Sequence, residues 1–487
     1  MNKLEQLQPS EIWKYFLEIC SIPRPSKKED RVIKYLLDFA ISHNLVANRD
    51  EAGNVIIKKD ATKGFEHLES VVLQSHMDMV CEKNSDTKHD FLNDPITPYI
   101  DGEWVKANGT TLGADDGIGI ASQLAILASK NIKHGPIECL FTIDEETGLT
   151  GAFEMKPGFF NSKILINLDS EDEGELFIGC AGGIDTLATF AYDEEKVPSN
   201  FIAYKLIIKG LKGGHSGDDI DKNLGNSIKI ITRFLWKSTN KYDLRLSMLD
   251  GGNLRNAIPR EAFAIFVIHE DDKADMLKDF DLYKSEIINE IKDVEPSITI
   301  LLEENELPEF VIDEPTHFDL LNSLYGCPHG VIAMSRELKG LVETSTNLAS
   351  VKFIQDNQIL VTTSQRSSVE SSKNDISNMV ESVFRLANAN VQHSEGYPGW
   401  KPNTNSEILN ITKDAYKKLF GVEPIVRAIH AGLECGLFIE KYPYLDMISF
   451  APTIKGAHSP DERLNIQTTQ KYWNLLLEVL LQVPKRK

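Results

Sequence analysis

Five stretches of this chain carry side chains that could hold metal ions, and each stands at the end of an apolar run or in a glycine-containing turn. Ser75-His76-Met77-Asp78 follows Val71-Val72-Leu73, so its histidine and aspartate, spaced i, i+2 at a strand end, project to the same side. Asp144-Glu145-Glu146 closes the apolar run 137–143, and Asp169 closes 164–168. Asp115 lies in Gly113-Ala114-Asp115-Asp116-Gly117, and His458 in Gly456-Ala457-His458-Ser459-Pro460.

Two imidazoles and three carboxylates (His76, His458, Asp115, Glu146, Asp169) exceed what one tetrahedral zinc needs and fit two metals that share a carboxylate. A dinuclear centre polarises a carbonyl and lowers the pKa of a bridging water towards neutrality. It also needs a general base that is not a ligand. Glu145, next to Glu146 and facing the other way in extended backbone, suits that role. Asp78 is expected behind His76, fixing its tautomer through a hydrogen bond. A His/carboxylate set of this kind accepts zinc, manganese or cobalt.

Taken singly these residues have bland readings. Paired acids usually open a helix, an aspartate after a strand is usually a turn residue, and a lone histidine is usually surface. Their common placement at strand ends and Gly-rich loops is what argues for a site. Two other patterns are discounted: Gly117-Ile118-Gly119 has Ser122 where a dinucleotide loop needs its third glycine, and Gly214-His215-Ser216-Gly217 has Asp218 where a nucleophile elbow needs glycine.

The elements that must position these residues alternate. A helix runs through Trp13, Phe16 and Leu17, and a second opens at Ser26 with Glu29 as a capping box. Strands follow at 55–57, 71–73, 137–143 and 164–168, with a helix over 118–128, which predicts an α/β domain whose ligands gather at the carboxyl ends of the strands. From about residue 182 the pattern changes. Strands at 201–209 and 262–268 flank a helix at 228–236, and a comparable strand and helix recur at 358–363 and 376–387. The expected organisation is a catalytic domain over 1–185 and 396–487, interrupted by an inserted α+β domain of two similar halves over 186–395. Pro398-Gly399-Trp400-Lys401-Pro402 reads as the return linker, and a helix at 407–420, a strand at 445–450 and a final helix at 472–483 complete the first domain.

Bulk properties bound the answer. With 487 residues, 41% of them hydrophobic, the chain is too large for one ordinary domain, and a net charge of −21 argues against nucleic acid and anionic membranes as partners. Six scattered cysteines without a C-x-x-C pair read as reduced thiols. The first residues lack the apolar core of a signal peptide, and no run approaches the roughly 18 apolar residues of a membrane helix, so a soluble, cytoplasmic protein is expected.

Together with Asn167-Leu168-Asp169, the motifs quoted above resemble, in order and approximate spacing, those of the dinuclear zinc exopeptidases related to aminoacylase and carboxypeptidase G. The resemblance covers essentially the whole chain. It implies a central mixed sheet flanked by helices, an inserted lid, and two divalent ions, zinc first, with manganese or cobalt as substitutes. It further implies ligation by His76, Asp115, Glu146, Asp169 and His458 with Asp115 bridging, Glu145 as general base, and Asp78 as a second catalytic acid. In the lid, His215 resembles the histidine that contacts the scissile carbonyl and Asn256 its neighbouring asparagine, while Arg366 is the candidate holder of a substrate carboxylate. His430 and Glu434 fall in a substrate loop. Many members carry lysine two places after the bridging aspartate, where this chain has Gly117; the dipeptidase branch looks like this chain.

The implied activity is metal-dependent hydrolysis of unblocked dipeptides, Xaa-His types included, by a metal-bridging water activated by Glu145. The alternative on the same fold is a deacylase of N-acyl amino acids. A metal-binding module without catalysis is the third reading, against which an intact Glu145 argues. Relatives with a lid half this size dimerise through it; a doubled lid could supply the borrowed histidine within one chain, so monomer and homodimer both stay open.

Overall fold

The computed structural model describes residues 3–486. They form two compact units, one comprising the chain up to Gly179, Pro402–Ala428 and the chain from Leu433 on, the other Cys180–Lys401 with Ile429–Gly432.

The first unit is built on a mixed sheet in the order Val46–Arg49, Val55–Lys59, Ile137–Thr142, Val71–His76, Ile164–Asn167, Asp446–Ser449, Glu175–Cys180, Ile425–Ile429. Val71–His76 lies parallel to both Ile137–Thr142 and Ile164–Asn167, and Asp446–Ser449 parallel to the latter. Every residue of these four strands is buried except Asp446, as expected of parallel strands covered on both faces. The helix Ala114–Ala128 is apolar almost all round, so it is buried, packed on the helix Ser10–Cys20 and on Val71–His76. A second, four-stranded sheet runs Ile454–Lys455, Arg463–Asn465, Trp104–Ala107, Pro98–Asp101. Through it the hairpin carrying His458 is zipped to the strand that leads into the Asp115 turn, with Leu464 opposite Val105.

Two local expectations are corrected. The second helix is Asp30–Ser42, not one opened by Ser26 with a Glu29 capping box, because both side chains are used elsewhere. The Ser26 hydroxyl donates to Asp78 Oδ2, and Glu29 Oε1 accepts the Lys27 and Asp144 amides. Glu145 and Glu146 do not lie in extended backbone. They form a helical turn, Glu145–Gly148, entered through Asp144 at φ +47°. The return to the first unit falls within the expected segment 398–402, at Lys401–Pro402, and the chain there is tied down, since Trp400 and Cys180 exchange backbone hydrogen bonds, as do Tyr397 and Gly183.

The second unit is a nine-stranded antiparallel sheet. Thr299–Asn305, Phe201–Lys209, Ala262–His269 and Arg245–Gly251 form one half, with the helices Ser227–Tyr242 and Lys273–Ile291. Val342–Ile354, Gln358–Ser367, Gly182–Ala191 and Asn390–His393 form the other, with Gly330–Met334 at its margin and the helices Glu314–Gly326 and Glu370–Leu386. The halves join where Gly251 pairs Val351, and one apolar core, including Leu206, Phe234, Phe266, Leu348, Val361 and Phe384, runs through both. Among the described residues, no helix is long and apolar enough to cross a membrane.

Candidate metal centre

The carboxyl ends of three parallel strands deliver the first group of side chains. His76 ends its strand, almost fully buried, with Nε2 3.0 Å from Asp115 Oδ1 and 3.6 Å from Asp169 Oδ1. From the opposite side, His458 Nε2 lies 3.2 Å from Asp115 Oδ2 and 3.1 Å from Glu146 Oε2. The two oxygens of Asp115 therefore face different histidines. Two groups result, His76/Asp115/Asp169 and His458/Asp115/Glu146, each with its donor atoms within 4.8 Å of one another and with Asp115 in common.

Asp78 does more than orient its neighbour. Oδ1 lies 3.3 Å from His76 Nδ1 and accepts the Glu145 amide at 3.0 Å, while Oδ2 accepts the Glu146 amide at 3.2 Å and the Ser26 hydroxyl at 2.7 Å. The same carboxylate thus fixes the His76 ring and caps the turn that carries Glu145 and Glu146. Burial opposes its charge, but His76, Ser26 and the Glu145 amide outweigh that and hold its carboxyl down at about 2. Because the turn is helical, Glu145 does not face away from Glu146; both carboxylates reach the space near His76.

Beneath the strand ends lies a polar floor. Gln74 receives a hydrogen bond from Asn167 Nδ2 at 2.6 Å and donates to Glu434 Oε2 at 2.6 Å, and the Thr142 hydroxyl donates to the same glutamate oxygen at 2.7 Å. Glu434 Oε1 is buried without a partner among the described residues. Burial pushes the Glu434 carboxyl up to about 7, only partly offset by Thr142, His76 and Gln74.

The charge balance is lopsided. Burial favours neutral carboxyls at Glu145 and Asp169 and, reinforced by neighbouring carboxylates, holds both well above the usual range. Burial would keep His76 neutral too, but Asp169, Asp115 and Asp78 overcome it. Asp115 and Glu146 raise His458 to about 11. Glu146 Oε1 is a buried oxygen with no hydrogen-bond partner among the described residues. Such a crowd of buried acids, with an orphaned donor atom, suits bound divalent cations, and the donor set fits two of them.

The remaining expected residues belong to the second unit, except Glu434. His215 and Ala257 are paired in a two-stranded ladder, and the Ser216 amide donates to the Asn256 carbonyl at 2.8 Å, which sets Asn256 beside the His215 turn with its side chain exposed. His215 Nδ1 accepts the amides of Gly217 and Asp218 at 3.3 and 3.2 Å, so the ring proton resides on Nε2. Arg366 is buried, donates to the Tyr397 hydroxyl at 3.1 Å, leaves Nε unpartnered and forms no ion pair among the described residues. His430 is buried, with Nε2 2.7 Å from Ser345 Oγ. Burial, Arg366 and His215 hold its ring down at about 3, and burial and Arg366 likewise depress His215. Arg366, His215 and His430 thus form one electrostatic group.

Residues 72–482 match the profile of Peptidase family M20/M25/M40. The chain belongs to that family. It is 45% identical over 487 residues to the cytosol non-specific dipeptidase of Escherichia coli strain K12, covering 100% of both sequences. The crystal structure of aminoacylhistidine dipeptidase from Vibrio alginolyticus superposes with a TM-score of 0.93 at 47% identity over 99% of each chain. A tripeptidase from Staphylococcus aureus shares the fold, with a TM-score of 0.57 at 16% identity over 98% of this chain and 99% of that one.

In this M20/M25/M40 peptidase, Ser26, Gln74 and Thr142 support the site although the sequence does not announce them as doing so. Gln74 and Thr142 carry one signal, being polar residues inside apolar strand runs. Ser26 carries none, because serine before a helix reads as a cap.

Proposed function

We propose that this peptidase is a metal-dependent dipeptidase that hydrolyses unblocked dipeptides, Xaa-His types included, in the cytoplasm. The observation that carries the reading is the shared Asp115, whose two oxygens face His76 and His458 in two complete donor groups. The names and near-identical length of the relatives support the dipeptide class. His76, Asp115 and Asp169 would hold one ion and His458, Asp115 and Glu146 the other, zinc being preferred. When bound, the ions supply Lewis acidity for the peptide carbonyl and make a water molecule nucleophilic near neutral pH.

The chain's own residues do the rest. Glu145, its amide fixed by Asp78, takes the proton from the attacking water at its carboxylate and delivers it to the leaving amine nitrogen. Asp78 keeps the His76 ring oriented, so Nε2 faces Asp115 and Asp169. His215 brings an Nε2–H donor for the oxygen on which charge develops, and Asn256 assists it. Arg366, a buried cation without a counter-ion, takes the substrate carboxylate. His430, neutral beside Arg366, and Glu434, under the strand ends, shape the substrate loop.

A substrate panel tests the reading. The zinc-loaded protein should turn over Xaa-His and other free dipeptides and leave N-acetyl amino acids and longer peptides nearly untouched. Preferential cleavage of N-acetyl amino acids would replace it with the deacylase reading.

A further inference from the structure

Arg24 and Glu462 are among the buried charged side chains to which the mechanism gives no task. Arg24, between the first two helices, and Glu462, four residues beyond His458, are each 2% exposed. Among the described residues, every hydrogen bond made by either charge goes to backbone atoms. Five of these seven bonds fall on the turn that presents Asp115, and the other two on the residues after His76.

Glu462 accepts four consecutive amides. Oε2 takes Leu112 at 2.7 Å and Gly113 at 2.9 Å; Oε1 takes Ala114 at 2.7 Å and Asp115 at 3.3 Å. These amides belong to the irregular turn ahead of the regular helix, since Asp115 and Asp116 have non-helical φ/ψ and Asp116 Oδ1 accepts the Gly119 amide. On the other side of the same backbone, Arg24 Nη2 donates to the Gly113 carbonyl at 2.5 Å, and Nη1 donates to the carbonyls of Met77, at 3.0 Å, and Asp78. The Gly113 residue is therefore held from its amide by an anion and from its carbonyl by a cation. The guanidinium fills the space beside the turn. A Cβ at Gly117 would meet Arg24 Nη2 at 2.7 Å, and one at Gly113 would meet it at 2.8 Å.

The connectivity matters more than the count. Arg24 ties the Asp115 turn to the two residues after His76, and Glu462 ties the same turn to the hairpin that carries His458. His76, Asp115 and His458 come from segments far apart in the chain, yet these two side chains set the spacing of all three backbones. We propose that Arg24 and Glu462 are positioning residues that brace the Asp115 turn between the His76 and His458 segments, and so set the affinity and coordination geometry of the metal centre. This inference rests on the dinuclear reading above.

Neither residue touches a ligand side chain or the reacting atoms, so the effect must pass through backbone placement. Glu462→Gln halves the acceptor oxygens and turns an amide NH2 towards backbone donors. Arg24→Lys keeps the charge and loses the fork that spans two segments. Gly117→Ala pushes on the guanidinium without altering either charge. The comparison variant is Glu138→Gln, since Glu138 is similarly buried and multiply bonded, to the Asn161 and Ser162 amides, the Ser162 hydroxyl and Lys58, but at the opposite end of its strand.

The experiment titrates Zn2+ into metal-stripped full-length protein and records the absorption spectrum of the Co2+-loaded form, with circular dichroism as a check on folding. Wild type should bind two equivalents. Glu462→Gln and Arg24→Lys should each weaken zinc binding roughly tenfold or more and shift the cobalt bands, Gly117→Ala should do so to a smaller degree, and Glu138→Gln should lower thermal stability alone. At saturating metal the loss in dipeptide turnover should fall on kcat with little change in KM. Zinc affinity and cobalt spectra in Arg24→Lys and Glu462→Gln that match Glu138→Gln would overturn the brace, even if all the variants melt early. Should Glu462→Gln fail to fold, Arg24→Lys decides on the same readouts. A wild type that binds no zinc would instead refute the dinuclear reading itself.

Discussion

The two units bury charge of opposite sign in opposite ways. In the first, Asp115, Glu145, Glu146, Asp169 and Glu434 crowd around His76 and His458, and Glu146 and Glu434 each keep an oxygen without a partner. In the second, Arg366 is buried with an unpartnered Nε, and the two histidines influenced by it are driven neutral. One cluster lacks cations and the other lacks an anion. Uncompensated burial of charge is expensive, and the function proposed above completes each cluster with a ligand of opposite charge: divalent metal in the first, the carboxylate of a short peptide in the second. The chemistry of a dipeptidase needs both.

Each cluster can be perturbed on its own. The largest effect is expected at Glu145. Replacement by alanine should reduce dipeptide kcat/KM by about 10³-fold or more, with metal content by elemental analysis unchanged; normal turnover would remove Glu145 from the mechanism. Next comes Arg366→Ala, which should raise KM for a dipeptide roughly ten- to a hundredfold, the worth of one charge-assisted interaction. The same substitution should barely alter the already poor KM of the corresponding dipeptide amide, and equal losses on both substrates would show that Arg366 does not read the carboxylate.

The smallest effect concerns His430. Its folded-state pKa of about 3 lies below the unfolded value of about 6.5, so its contribution to stability is complete above that unfolded value and is lost as the pH falls towards 3. Urea melts of metal-free protein should show a loss attributable to this ring of about 1 kcal/mol per pH unit below pH 6. Arg366→Ala should flatten that slope by letting the ring titrate higher, and an unchanged slope would detach His430 from the cationic cluster.

The two clusters also differed in how far the sequence could reveal them. The acidic one was legible because its ligands follow apolar runs: Val71–His76, Ile137–Thr142 and Ile164–Asn167 are strands, and His76, Glu145 and Glu146, and Asp169 follow from where they stop. What hid was backbone bonding. Nothing in the letters says that Glu462 accepts four amides or that Arg24 spans Gly113 and Met77, since a backbone partner leaves no residue type to recognise. The same blindness produced the Ser26–Glu29 capping box, whose pattern is correct and whose side chains are engaged with Asp78 and Asp144 instead. Extended backbone at Glu145 was wrong for a related reason, because the turn is stabilised from outside by the carboxylate of Asp78. The four-stranded sheet that delivers His458 consists of strands of two to four residues, too short to show a period.

In the dinuclear site proposed above, one aspartate, Asp115, joins two metal positions. Zinc titration of the stripped protein, followed by calorimetry and by hydrolysis of an Xaa-His dipeptide, tests it directly in wild type and His458→Ala. The predicted result is two equivalents and activity in wild type, against one equivalent and little activity in the variant. A single equivalent in active wild type, or two equivalents and full turnover in His458→Ala, would contradict it.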